Sequence, residues 1–298
     1  MNVMTRPAAS LTTGLCIFAI TMAVFLGLTG LALRAVSIDR AAPSRLVNQT
    51  LPKTGSAGTE AFLQSLQAFD AAAARRLFDD RDQYISPDQR PIRRYRTLQT
   101  AIQALSDAAI HMPNIESADY QRILNKVEHG LGLLSASKSD WCSAPRIARL
   151  VRLNDTDVLP AAIAVFAADP VGYDWLLDWT ATILEAATKA RRKPVFHGRR
   201  TARDKLLVQQ AGRRLAADDW MLAVSIANFS YAEGQSYAAM QNAVQGINVC
   251  EAGQAFVMLS RNLPSQVNNR VLAELLPAVF SGRIDYALYL IRNYFFID

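Results

Sequence analysis

The sequence predicts an all-α protein: one amino-terminal transmembrane helix followed by a multi-helix bundle, with solenoid-like stacked helical hairpins as the alternative arrangement. Three observations carry this. Leu11 to Leu33 holds no charged residue, and at about 1.5 Å of rise per residue it can cross a hydrocarbon core of about 30 Å. Beyond it, apolar residues recur at three- and four-residue intervals, the period of a half-buried helix. No run alternates apolar and polar residues between hairpin turns, as paired strands do.

Residues 1–10 form a short tail and 11–33 the anchor. A cleavable signal peptide has an apolar core of roughly 7–15 residues and a small-residue exit. Here the run is longer, and cuts near Ala35 or Ser37 would place Arg34 or Val36 beside the scissile bond. A lipoprotein reading fails at Leu15, which stands before Cys16 where a small residue is needed. Gly27, Thr29 and Gly30 would let a second membrane helix approach closely. The charges flanking the span pull two ways. Arg34, Arg40, Arg45 and Lys53 on the far side outnumber Arg6 in the tail, which by itself favours a cytoplasmic body. A ten-residue leader before the span is the layout of a signal anchor that exports its body. The expectation is a single-pass bacterial inner-membrane protein with a periplasmic body.

Residues 34–58 carry Pro, Gly, Ser and Thr without periodicity and read as a flexible linker. The all-helical body is then expected over 59–298. Its first helix starts near Thr59, with Phe62, Leu66, Phe69, Ala73 and Leu77 on one stripe. Tyr95, Leu98, Ile102, Leu105, Ala109 and Met112 mark a second stripe, and Tyr120, Leu124, Val127, Leu131 and Leu134 a third. Pro113 and Asn114 separate the last two, which predicts an antiparallel helical hairpin. Two modest apolar segments follow at 145–153 and 158–167.

Asp169-Pro170 is a strong helix start, with Asp as N-cap and Pro in the first turn. That helix should run to the basic cluster Lys189, Arg191, Arg192 and Lys193, which suits the negative end of the helix dipole, and stop before Pro194. Further helices are expected near 201–216, 218–232, 235–248, 252–262, 267–280 and 284–296. The segment from Trp220 to Tyr231 is apolar nearly all round and should be buried. The aromatic end should dock on the core. The aromatics expected at a partner-facing surface are Trp175, Trp179, Tyr294, Phe295 and Phe296.

Charge and cysteine usage bound the function. Residues 1–35 hold two Arg and no acid, so the remainder has 30 basic and 26 acidic residues. So mild an excess suits an anionic surface and gives no footprint for nucleic acid. The Arg-for-Lys and Ala-rich bias fits a GC-rich bacterial genome. Cys142 and Cys250 can form one disulfide if the body is exported, or remain two small buried thiols if it is cytoplasmic. Neither the three Cys nor the three His stand at metal-ligand spacing, so no metal or other cofactor is expected.

No phosphate-cradling, nucleophile-elbow or zinc-protease motif occurs. Glu233 sits beside Gly234 between two apolar runs, where a carboxyl could act as general acid toward a glycosidic bond. The stretch from Ser230 to Gly246 resembles the lysozyme-like lytic transglycosylases. Their acid Glu is followed by Ser and later by Gly-Leu-Met-Gln; here Gly234 follows the Glu, and Met240-Gln241 comes sooner. The resemblance implies a peptidoglycan-active enzyme using Glu233. Asp174 and Asp178, one turn apart, read as a wet face. Residues 189–205 hold eight basic residues, Lys189, Arg191, Arg192, Lys193, Arg199, Arg200, Arg203 and Lys205, against one Asp. They read as a solvated helix end and loop, or as a patch for lipid headgroups or an acidic partner; with Phe196 as the lone aromatic, single-stranded nucleic acid has no stacking platform. The expected function is a non-enzymatic, membrane-anchored scaffold or accessory subunit of a cell-envelope assembly, such as secretion, pilus or envelope-polymer machinery, with other envelope proteins as partners. The alternatives are the Glu233 enzyme and a cytoplasmic-facing adaptor that uses the Arg-rich patch.

Overall fold

A computed structural model describes residues 56–82, 90–143, 163, 166–218, 248–281, 283, 286 and 290. Among them the regular structure is helical, with one isolated bridge between Ser143 and Asn248. No described helix is long and apolar enough to cross a membrane. The 11–33 stretch, the segments at 145–153 and most of 158–167, the helices expected within 219–247, and most of 284–296 lie outside the described residues.

Helix α1 spans Ala57–Phe69 and α2 spans Ala71–Asp82. The sequence reads them as one helix; the structure divides them at Asp70, whose backbone is extended (φ −141°, ψ 92°). The Asp70 carboxylate accepts the amides of Ala72 at 2.9 Å and Ala73 at 3.0 Å, so it caps α2 in place of continuing α1. The linker boundary also moves. Ser56–Gly58 belong to the body: Gly58 donates its amide to Asp174 Oδ1 at 2.8 Å. A Cβ there would fall 2.1 Å from the Asp174 carbonyl oxygen, so only glycine allows this approach.

Helix α3 spans Arg90–Ala108 and tightens into a 3₁₀ turn over Ala109–Asn114. Pro113, which cannot donate an amide, sits in that turn, and Tyr120 donates its hydroxyl to Met112 O at 2.5 Å. Helix α4 follows over Ser117–Ala136. The apolar stripes of both helices are buried, but the helices do not form a packed hairpin. Each turns its stripe to a third helix, α5, Pro170–Arg192.

Helix α5 organises the bundle. The Asp169 side chain accepts the amides of Val171 and Gly172, and Ser139 donates to its other oxygen at 2.5 Å. Against α5 pack α1, α3, α4 and the 3₁₀ turn. All four precede α5, and α1 packs on it across three intervening helices, whereas each unit of a solenoid touches its neighbours alone. The described body is therefore a bundle around one helix rather than a stack of hairpins. Because α5 is enclosed, it buries residues on most of its circumference, including Trp175, Leu177, Trp179, Ile183 and Leu184. Burying each such large side chain contributes roughly 1.5–3 kcal/mol.

Helices α6 (Ala202–Asp218), α7 (Val249–Arg261) and α8 (Ser265–Phe280) complete the described elements. Asn248 caps α7 by accepting the amides of Cys250 and Glu251. Helix α7 lies on α4, and α8 lies on the 3₁₀ turn. Val208, Leu259, Leu263, Val267 and Val271 form a small second core where α6 meets α7 and α8.

Candidate functional site

Four charged residues of α5 fall on one stripe, Asp174, Asp178, Glu185 and Lys189, and each has a partner on α1 or α4. Asp174 accepts from Gly58, and Asp178 pairs with Lys126. Glu185 accepts from Arg122 at 2.7 Å and from Ser65 at 3.4 Å. Lys189 donates to Asp119 at 3.0 Å. The Asp119 side chain is only 3% exposed and also takes Arg122 at 3.0 Å. The guanidinium pKa of Arg122 is raised, chiefly by its hydrogen bond to Glu185. The face that reads as wet in the sequence is thus an ionic seam along the central helix.

This seam divides the basic segment 189–205. Lys189 is spent on Asp119. Arg191 lies 5.1 Å above the Phe69 ring and donates to the Phe69 carbonyl at 3.3 Å, where α1 ends. Beside it, burial and then the Arg191 charge hold the His111 imidazole below its ordinary pKa. Arg200 is half-buried, 3.9 Å from Glu274, and Lys205 is half-buried and engaged. Arg192, Lys193, Arg199 and Arg203 are exposed and have no partner among the described residues.

The one acid of the segment, Asp204, faces inward. Its side chain is 2% exposed and accepts Arg270 through both oxygens, at 2.7 and 2.8 Å. It also accepts the Thr201 amide at 2.8 Å, while Thr201 Oγ1 accepts the Asp204 amide at 3.2 Å. This is a capping box with Asp in the usual Glu position, and the T-x-x-D spacing before an apolar run is its signal in the sequence. The Arg270 hydrogen bonds hold the Asp204 carboxyl below its ordinary pKa. A depressed folded-state pKa stabilises the fold above the unfolded value, near pH 4, and that contribution is lost as pH falls through the folded value. Urea titrations at about pH 7 and about pH 3 should therefore show a smaller acid-induced loss of stability in Asp204→Asn than in the native chain, from a lower starting stability.

The structure corrects one aromatic expectation. Trp175 and Trp179 do not face a partner, because both are buried. Trp175 donates its indole N–H to Lys126 O at 2.9 Å, and Trp179 packs on Phe280 with ring centroids 5.6 Å apart. Tyr294, Phe295, Phe296 and Glu233 lie outside the described residues.

Cys142 and Cys250 are joined by a disulfide. Cys142 ends a short 3₁₀ turn, Asp140–Cys142, and Cys250 lies in the first turn of α7. Both belong to the main core, and Trp141 beside them stacks on Phe166 at 3.6 Å between centroids. Among the described residues no group of three or more His, Cys, Asp or Glu could hold a metal ion. No family model matches the chain, and neither the curated proteins nor the solved structures contain a match.

Proposed function

We propose that this chain is a membrane-tethered, non-enzymatic scaffold or accessory subunit of a bacterial cell-envelope assembly, with its helical body in an oxidising compartment. The observation that carries the reading is the Cys142–Cys250 disulfide, set within the main core. Disulfides of this structural kind persist outside the reducing cytosol. The charge-free stretch at 11–33 supports the tether. A body crosslinked inside its core and enclosed around α5 suits a rigid platform, and partners are other envelope proteins.

Sidedness tests the reading. In a Cys16→Ala chain, Cys142 and Cys250 should resist labelling in intact cells and in the unfolded lysate, and react only after reductant is added. Thiols that label in the unfolded lysate without reductant would place the body in the cytoplasm and overturn the envelope reading. The scaffold role is tested separately, by crosslinking in intact membranes before affinity capture. Defined envelope proteins in the captured complex are the expected result; an uncrosslinked monomer would remove the role.

A further inference from the structure

One end of the bundle carries a cationic strap that the core leaves free. After α5 the chain crosses the 3₁₀ turn and the start of α4. Val195 donates its amide to Asn114 O at 3.0 Å, and His197 Nε2 bonds Ile115 O at 2.6 Å. The His197 ring lies 5.5 Å from that of Tyr120. With Val195 and His197 held inward, Phe196 between them is turned out and is 82% exposed. Gly198, at φ +78°, then lets the chain turn toward α6, where Leu206 is 58% exposed. The same stretch of chain carries four exposed cations without a partner among the described residues, Arg192, Lys193, Arg199 and Arg203. The only acid of the strap, Asp204, is buried and taken by Arg270.

We propose that this strap seats on an anionic lipid surface. Phe196 and Leu206 enter the headgroup boundary while Arg192, Lys193, Arg199 and Arg203 meet lipid phosphates. A projecting ring among cations on long side chains fits a fluid, negatively charged plane; a folded acidic protein would call for fixed, paired partners. The strap is pinned at Val195 and His197, so little order has to be gained on contact. The choice of lipid over protein rests on reading 11–33 as the anchor. An anchor at 11–33 holds the whole body beside a bilayer; because Gly58 meets Asp174 near the start of α5 and the strap leaves its end, α5 lies along the surface when the strap is seated. Each cation at such a surface strengthens binding about fivefold, so reversing all four charges should weaken it by a factor on the order of several hundred or more.

The test uses the full chain with vesicles of phosphatidylcholine alone and of phosphatidylcholine mixed with phosphatidylglycerol. Flotation on the neutral vesicles reports the anchor. Hydroxyl-radical oxidation of Phe196 and acetylation of Lys193 report the strap. Both reactions should slow about tenfold on the anionic vesicles alone, and high salt should restore them. Phe196 protection should also vanish in the chain carrying R192E, K193E, R199E and R203E. Equal rates on the two vesicles would overturn the proposal whether or not the chain floats on neutral lipid. Protection confined to native membranes, and lost when their proteins are digested, would assign the strap to an acidic protein instead. If the anchor reading alone fails, the chain stays off neutral vesicles yet shows the anionic protection.

Discussion

Replacing both Cys142 and Cys250 with alanine should lower the melting temperature by about 10 °C. The bridge joins residues 108 apart in sequence. Closing a loop of that size in the unfolded chain is worth about 4–5 kcal/mol in the chain-entropy model, and a body of this size shifts by about 2–4 °C per kcal/mol. The double variant is the right one, because a single replacement would leave one thiol buried without a partner. Native protein unfolded, reduced and refolded with reductant present should melt with the double variant. A shift below about 2 °C would mean that the reduced unfolded chain already holds the two ends close together.

Gly130→Ala should cost about 2–4 kcal/mol, although Gly→Ala within a helix ordinarily stabilises by about 1 kcal/mol. The sign reverses because of what α4 meets. A Cβ on Gly130 would lie 1.7 Å from Trp175 Nε1 and 2.0 Å from Cε2. The indole cannot retreat freely: its N–H is bonded to Lys126 O, and its ring lies nearly parallel to Trp179 with centroids 6.0 Å apart. Moving it forfeits a buried hydrogen bond as well as packing. Gly132 is the internal control. Its Cβ would meet only the Gln254 Nε2 at 3.1 Å, the far end of a flexible side chain, so Gly132→Ala should be neutral or mildly stabilising. Urea unfolding of the two variants checks this; equal stabilities would show that Trp175 is not seated against α4.

What could be read from sequence was what local chemistry decides. Asp169-Pro170 starts α5 because cap and helix lie within four residues, and the stripes of α3 and α4 survive because periodicity belongs to each helix alone. The break at Asp70 is not legible for the same reason. Within an apolar stripe a single Asp looks solvent-facing, and its capping of α2 depends on a backbone turn that composition does not encode. The third element, to which α3 and α4 both turn, is more than thirty residues downstream of α4 and has no signature in either stripe. Trp175 and Trp179 present the same pattern whether a bundle or a partner covers them. In the basic segment, eight cations look alike until Asp119, seventy residues before Lys189, and Phe69 claim two of them. The Cys142–Cys250 pairing was legible as a pair, since the body holds no other cysteine.

The packing of α1 on α5 has a consequence for how the chain is made. Phe62 and Leu66 are fully buried, yet the helix that covers them ends only at Arg192. At about 5–20 residues per second of synthesis, roughly ten seconds pass between the emergence of α1 and that of its cover. During that interval its apolar face has no native partner from α5. The earliest described helix of the body is therefore made well before the helix that shields it, and a holding chaperone would keep its apolar face from other surfaces until α5 arrives.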